Sequence, residues 1–219
     1  MGAAGIPEPS PDCPLCPRLK DFRDANRVAL PGCFNAPVPC FGPHDAKLLI
    51  VGLAPGLHGA NRTGRPFTGD WAGDLLFDTL LKLKLATGTY EERPDDTLQL
   101  VDCRIVNSVR CVPPQNKPLP VEIATCNQFL RPEILAHRNS EGPAKAMLAL
   151  GAIAHDAALK ALGERRSAFK FAHGAQHALQ CGLTLVDSYH CSRYNTNTGV
   201  LTPAMFENAV GIAKAAAGL

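Results

Sequence analysis

No apolar run in this 219-residue chain approaches the roughly 20 residues that a membrane-spanning helix needs. The opening stretch, Met1 to Ser10, lacks both the basic start and the apolar core of a secretory signal, which points to a cytoplasmic protein with no membrane partner. Charge of one sign is missing too. Twenty-two basic residues against 20 acidic ones leave +2, so a polyanionic partner must be recognised through local contacts. There is no internal repeat and no linker. Hydrophobic content of 46% with 19% charged residues excludes both a disordered chain and a coiled coil. The length suits one well-cored α/β domain over residues 12–219, with a small, Pro-rich and mobile segment at 1–11. Nothing in the sequence demands more than a monomer.

What is present in excess is cysteine. Nine of them, at 13, 16, 33, 40, 103, 111, 126, 181 and 191, are an odd number and argue against a complete disulfide framework. Cys13-Pro-Leu-Cys16 is a CxxC, whose two loop-borne thiolates can point at one metal or cluster, or act as a redox dithiol. Cys111 and Cys126 form a second candidate pair. The prolines between them stiffen a loop, and Pro120 suits the first turn of a helix that would carry Cys126 back toward Cys111. Two such pairs could hold a [4Fe–4S] cluster or a tetrahedral zinc. Cys13, Cys16, Cys33 and Cys40 make a rival quartet, and spacing does not separate the two sets. Cys103, Cys181 and Cys191 read as small buried hydrophobes.

Along the chain, short apolar runs predict strands at Ala46–Leu53, Arg104–Val109, Ala144–Leu150 and Leu183–Asp187. Helices are expected from an Asp12 cap through Arg27, over Trp71–Ala86, over Val121–His137, near Ala152–Leu162, and from a Thr202-Pro203 cap through Ala217. Strands alternating with helices argue for a parallel-rich sheet covered on both faces. In such sheets ligands bind at the loops after the strands' carboxyl ends, here 53–70, 107–116 and 188–199. These loops are also the stretches densest in Gly, Asn, His, Arg and Pro. The first is neither a GxGxxG opening into a helix nor a GxxxxGK[ST], so mononucleotide phosphate binding fits poorly. Phe67 within it can be a stacking platform or a staple under the loop. His190, in the third loop beside Arg193 and Asn195, can serve as a donor to an anionic group.

Three motifs now carry a resemblance. Gly-Leu-Ala-Pro-Gly-Leu-His-Gly-Ala-Asn-Arg-Thr-Gly-Arg-Pro-Phe-Thr-Gly-Asp (52–70) is similar to the first motif of the family 5, or type b, uracil-DNA glycosylases. Ser-Val-Arg-Cys-Val-Pro-Pro-Gln-Asn-Lys-Pro (108–118) resembles their second and Ser-Tyr-His-Cys-Ser-Arg-Tyr-Asn-Thr-Asn-Thr-Gly-Val-Leu-Thr (188–202) their third. Cys13-Pro-Leu-Cys16-Pro-Arg-Leu resembles the N-terminal cluster motif, and His173-Gly-Ala-Gln-His177 also has a counterpart.

The resemblance implies a three-layer α/β/α sandwich around a central four-stranded parallel sheet. It implies a structural [4Fe–4S] cluster on Cys13, Cys16, Cys111 and Cys126, with Cys33 and Cys40 outside it. The implied partner is DNA, and the implied reaction is hydrolysis of the N-glycosidic bond of a flipped, deaminated base, leaving an abasic site. Uracil comes first, with hypoxanthine, xanthine and ethenocytosine as further substrates. By the same resemblance Asp70 is the catalytic carboxylate, His190 the donor to the base carbonyl, and Asn116 a support for base or water. Ala54, Pro55, Gly56, Phe67, Asn107, Arg193 and Asn195 surround the base. Related families place a polar or acidic residue directly after the first strand, where this chain has Leu53-Ala54-Pro55. Arg62, Arg65 and Arg193 are expected near phosphates, and Lys160, Arg165, Arg166 and Lys170 are either a second DNA contact or a solvated helix end. The alternatives are an iron–sulfur protein that binds uracil-containing DNA with little turnover, and a zinc-stabilised nucleotide-binding module.

Overall fold

Strand β1 (Leu48–Gly52) is the spine of the molecule, because it is hydrogen-bonded on both sides and none of its residues reaches solvent. The fold comes from a computed structural model that describes residues 5–139 and 145–219. Helix α1 (Pro17–Ala29) precedes β1, and α2 (Ala60–Thr63) and α3 (Trp71–Lys82) follow it. A two-residue hairpin, β2 (Ala86–Thr87) with β3 (Gln99–Leu100), leads into β4 (Cys103–Asn107). Then come α4 (Pro120–Asn139), β5 (Ala146–Leu150), α5 (Ala152–Leu162), β6 (Gln176–Ala178), β7 (Thr184–Ser188), α6 (Arg193–Asn197) and α7 (Pro203–Ala216).

The central sheet has the order β4-β1-β5-β7-β6. Four strands run parallel, and their near-continuous apolar runs suit burial on both faces. Alternate residues point to opposite faces. Leu48, Ile50, Ile105, Leu148 and Val186 meet Leu76 and Leu80 of α3 and Phe206 and Val210 of α7. On the other face Leu49, Val51, Val106, Met147 and Leu185 meet Leu130 and Ile134 of α4 and the alanines of α5. This is the expected layered sandwich, with one correction. The sheet has five strands, because Gln176–Ala178 adds antiparallel to β7 at the edge. That strand is short and largely exposed, so no apolar run announces it.

Two helix limits also differ from expectation. Helix α1 begins at Pro17, where proline fits the first turn, and Asp12 instead pairs with Arg27 at 2.7 Å. Helix α3 stops at Lys82, and Lys84, with φ of 59°, turns the chain into the hairpin. Thr202 caps α7 as expected, its hydroxyl accepting from the Met205 N–H. A small third cluster, Leu19 with Val109 and Cys126, seats α1 against the loop after β4. Cys103 and Cys191 are fully buried and Cys181 partly so, as small apolar side chains beside strands. No described helix is long and apolar enough to cross a membrane.

Candidate active site

The carboxyl ends of β1, β4 and β7 open into a cavity of about 450 Å³, within the range of small-molecule pockets. Its walls carry Ala54, Pro55 and Gly56 from the loop after β1, then Phe67, Asp70 and Trp71. Asn107 and Asn116 enter from the β4 side, and His190, Ser192, Arg193 and Tyr194 from the loop after β7. The residues expected around the base therefore meet there, except Asn195. That side chain donates to the His190 carbonyl at 2.8 Å and so shapes the loop from behind. Trp71 and Tyr194 were missed in the sequence. Both remain exposed, at 46% and 74%, which places them at the rim. The signal that could have found the first is that this sole tryptophan directly follows Asp70.

Gly52 explains how the floor is built. A Cβ there would drive into the Phe67 ring and the Asn107 amide oxygen, so the last residue of β1 has to be glycine for both to approach the strand end. Phe67 is buried with φ of 54°, an uncommon conformation for a bulky residue and one that costs energy. Its ring lies 6.0 Å from that of His190 with 30° between the planes. The Asn107 Oδ1 is buried beside them and has no hydrogen-bond partner among the described residues. A buried polar atom without a partner, facing a cavity, is a group waiting for a ligand.

Asp70 is the N-cap of α3, its Oδ1 accepting from the Gly73 N–H at 3.3 Å. Burial pushes its pKa up, and the backbone donors of Gly73 and Ala72 only partly oppose that rise. A Cβ on Gly59 would collide with its carboxylate, so bare backbone lets the chain close over the acid. Asp70, Gly56 and Asn116 also line an adjoining cavity of about 330 Å³ with Phe22 and His58. Asn116 and its neighbour Gln115 both have φ of 56°, which makes the turn that presents Asn116 a strained one.

His190 is half-buried as a residue, with its ring turned into the cavity wall. Burial lowers its pKa to about 4, so the ring is neutral across the physiological range. Its Nδ1 is buried with no partner among the described residues. An unpaired acceptor is tolerated better than an unpaired N–H, so the single proton belongs on Nε2.

The arginines separate into two groups. Arg65 is only 6% exposed and grips Asp96 through two 2.7 Å bonds, with its guanidinium 5.1 Å from the Phe41 ring centre. It is a structural strut rather than a phosphate contact, because burial between aromatic rings removes it from the surface. Arg193 lies at the cavity rim over the Trp71 indole at 5.3 Å, and Trp71 Nε1 donates to Thr196 Oγ1 at 2.9 Å. Arg62 is exposed and bonds the His58 carbonyl. Lys160, Arg165, Arg166 and Lys170 take no part in the cavity walls, and Arg166 pairs with Asp156.

Cys13, Cys16, Cys111 and Cys126 line one narrow cavity with Leu19, Val109 and Phe129, a set that excludes Cys33 and Cys40. Cys40 instead contacts Glu133 at 3.0 Å. No three of the four sulfurs lie mutually within 4.8 Å. Donors already face the sulfurs. The Arg110 backbone N–H lies 3.4 Å from Cys126 Sγ and an Arg23 guanidinium nitrogen 3.9 Å from Cys111 Sγ. Burial raises Cys111 to about 11 and Cys126 to about 12, so without a bound cation these are neutral thiols.

Fold and site together define an α/β protein with a cleft at the carboxyl ends of a mostly parallel sheet, an acid on one wall and a neutral histidine on the other. A model of the uracil-DNA glycosylase superfamily matches residues 39–214, and the chain belongs to that superfamily. Within it, the chain is 42% identical over 212 residues to a type-5 uracil-DNA glycosylase of Thermus thermophilus, covering 94% of each chain. It is 39% identical over 228 residues to the type-5 enzyme of Mycobacterium leprae, covering 100% of this chain and 98% of that one. For the type-5 enzyme of Pyrobaculum aerophilum the identity is 38% over 211 residues, covering 94% and 90%.

Proposed function

We propose that this protein is a hydrolytic DNA glycosylase that removes uracil from DNA and leaves an abasic site. The observation that carries the reading is the meeting of Asp70, Phe67, Asn107 and His190 around one cavity at the strand ends. The target base must leave the helical stack to reach it, and a mispaired uracil leaves most easily. Phe67 then supplies a flat apolar face and Asn107 an unpaired amide oxygen for the base edge. As the bond between base and sugar lengthens, negative charge gathers on the base carbonyl and positive charge on the sugar. Neutral His190 donates from Nε2 to that carbonyl, a preorganised donor aimed at developing charge. Asp70 faces the sugar. It stabilises the cation and takes the proton of the water that adds to C1′, while the base leaves as its anion and is protonated by solvent. Arg193, at the rim, meets a flanking phosphate.

Hypoxanthine, xanthine and ethenocytosine are further substrates in this reading. The support is that Ala54 and Pro55 put no polar side chain against the base where the first strand ends. The four clustered cysteines hold a [4Fe–4S] group whose part is structural, tying α1 to the loop after β4. When bound it supplies ionised, cross-linked thiolates in place of neutral thiols.

The test is single-turnover base release from duplexes carrying one uracil, hypoxanthine or xanthine, read as alkali-labile breaks. Breaks with wild type that fall sharply in Asp70→Ala and His190→Ala support the assignment. Tight binding of uracil-containing DNA with no base released would transfer the protein to the binding-only reading.

A further inference from the structure

Behind the catalytic histidine lies a second group of titratable side chains that the reaction above does not use. Asp187, the fourth residue of β7, is completely buried. Its Oδ1 lies 2.7 Å from His155 Nδ1 on α5, and its Oδ2 lies 2.9 Å from His177 Nε2 on β6. The Oδ2 also accepts the Ala172 N–H at 3.3 Å. His155 is 1% exposed, and its other nitrogen, Nε2, is 3.0 Å from the Phe169 carbonyl oxygen. A carbonyl oxygen can only accept, so that nitrogen must carry a proton. A second proton must then lie between Nδ1 and Asp187. The pair therefore holds one proton more than a neutral ring and a carboxylate need. Ordinary pKa values of about 6.5 for imidazole and about 3.9 for carboxyl put that proton on the ring.

We infer that His155 is a buried imidazolium that, through Asp187, acts as a positioning pair for His190. The inference rests on the glycosylase reading for its activity readout and on geometry for its protonation readout. The route is short. Asp187 fixes the turn at 172–175, both through its carboxylate and through backbone bonds to Gly174 and Ala175 of 2.8 and 2.9 Å. From that turn His173 Nδ1 accepts the Tyr189 N–H at 3.1 Å, and its ring stacks on Tyr189 at 5.0 Å. Tyr189 is the residue before His190. The His190 Nδ1 has no partner among the described residues, so no hydrogen bond from it turns the ring and its aim falls to the backbone. Gly151 N–H bonding the Ser188 carbonyl and Asn195 bonding the His190 carbonyl complete that backbone cradle.

The groups facing His155 are Asp187 from β7, His177 from β6, the Phe169 carbonyl and Phe171 ring from the 166–172 segment, and Asp156 on its own helix. Burial opposes charge on the ring, but the Asp187 hydrogen bond and charge outweigh it, and the pKa of His155 is raised. The ion pair is consequently kept while His155 holds its second proton and is lost as pH rises through that raised value.

The experiment uses full-length protein carrying ¹⁵N-labelled histidine, with long-range ¹H–¹⁵N spectra recorded from pH 6 to 10. We expect one ring to keep both protons above pH 7, and to lose that signature in His155→Gln and Asp187→Asn. The His190 ring should remain neutral throughout. Single-turnover uracil release should fall about 10- to 100-fold in His155→Gln with duplex affinity unchanged, as a small misplacement of a reacting group does. The alkaline fall of the wild-type rate should be absent from that variant. His177→Gln, which leaves the ion pair intact, should keep both the doubly protonated ring and the alkaline fall. A His155 that is singly protonated at pH 7, or one that retains stoichiometric zinc with Asp187 and His177, overturns the inference. A wild type with the imidazolium signature but no base release on any duplex would instead sink the glycosylase reading.

Discussion

The Phe67 ring stands 6.0 Å from the His190 imidazole, with 30° between their planes, and Gly52 is what lets it stand there. A Gly52→Ala substitution pushes its new methyl into Phe67 and Asn107 together. Overpacking of this kind costs about 1–3 kcal/mol. We expect the variant to fold, to melt at lower temperature by calorimetry, and to lose uracil release far beyond what its stability loss explains. Normal base release in a destabilised Gly52→Ala would show that Phe67 does not face the base.

Replacing His190 by Ala removes a donor to the leaving base, and loss of one such donor typically costs about 100- to 1,000-fold in rate. The ring is neutral because burial holds its pKa near 4. Wild-type turnover should therefore show no inflection near pH 6.5 from this histidine. The depressed pKa has a stability consequence as well. The unfolded chain takes a proton on His190 below about 6.5 and the folded chain only near 4, so this residue erodes stability as pH falls across that window. Urea midpoints at pH 7 and pH 5 for wild type and His190→Ala measure it, with the variant losing less.

Asp70 works in the opposite direction. Its pKa is raised above 3.8 in the fold by burial, so the folded state holds this proton more tightly than the unfolded chain does. At neutral pH the fold therefore carries the cost of an ionised, partly desolvated carboxylate. Asp70→Asn keeps a good helix N-cap and removes that cost. The variant should be inactive and should melt higher than wild type at pH 7, an advantage that shrinks as the pH approaches 4.

Arg65 and Arg193 should behave as two different kinds of residue. Breaking the buried Arg65–Asp96 pair by Arg65→Ala leaves an enclosed carboxylate unpaired, a loss of about 3–5 kcal/mol. Its effect should appear in thermal denaturation, with the salt dependence of DNA binding unchanged in the folded fraction. Arg193→Ala should leave the melting temperature near wild type and reduce the salt slope by about one. The reverse pattern would put Arg65 on the DNA.

The proposed [4Fe–4S] group provides the last test. Cys126→Ser should lose the brown absorbance expected of an iron–sulfur protein. It should also lower the melting temperature and make residues 13–29 more susceptible to protease, because α1 then relies on Leu19 and on pairs such as Arg18–Glu122 at 2.7 Å. A colourless wild type binding one zinc would return the four sulfurs to the zinc reading.

Much of this was legible in the chain because the signals are strong where the sheet is buried. The four parallel strands are short apolar runs bounded by turn residues, and the loops after three of them carry the cavity. The edge strand Gln176–Ala178 was not legible, since Gln176, His177 and Ala178 make no apolar run and the first and last are exposed. The β2–β3 hairpin was missed because two residues per strand leave no periodicity to read. Arg65 was misassigned for a related reason. A loop arginine among glycines looks like a phosphate ligand until Asp96, 31 residues later, is folded onto it. The His155–Asp187–His177 group unites residues from three separate elements, and no local spacing records that meeting.

Asn107 ends β4 and His190 follows β7, and the order of the sheet places β1 and β5 between those two strands. Adjacent strands stand about 4.8 Å apart, so three intervals give a gauge of about 14 Å that is fixed by backbone hydrogen bonds. Loop sequence cannot stretch or shrink that gauge. A change of preferred base must come instead from what fills the span, through the bulk at Ala54 and Pro55 or the hydrogen-bonding sense at Asn107. In this molecule specificity is a matter of upholstery on a frame of constant width.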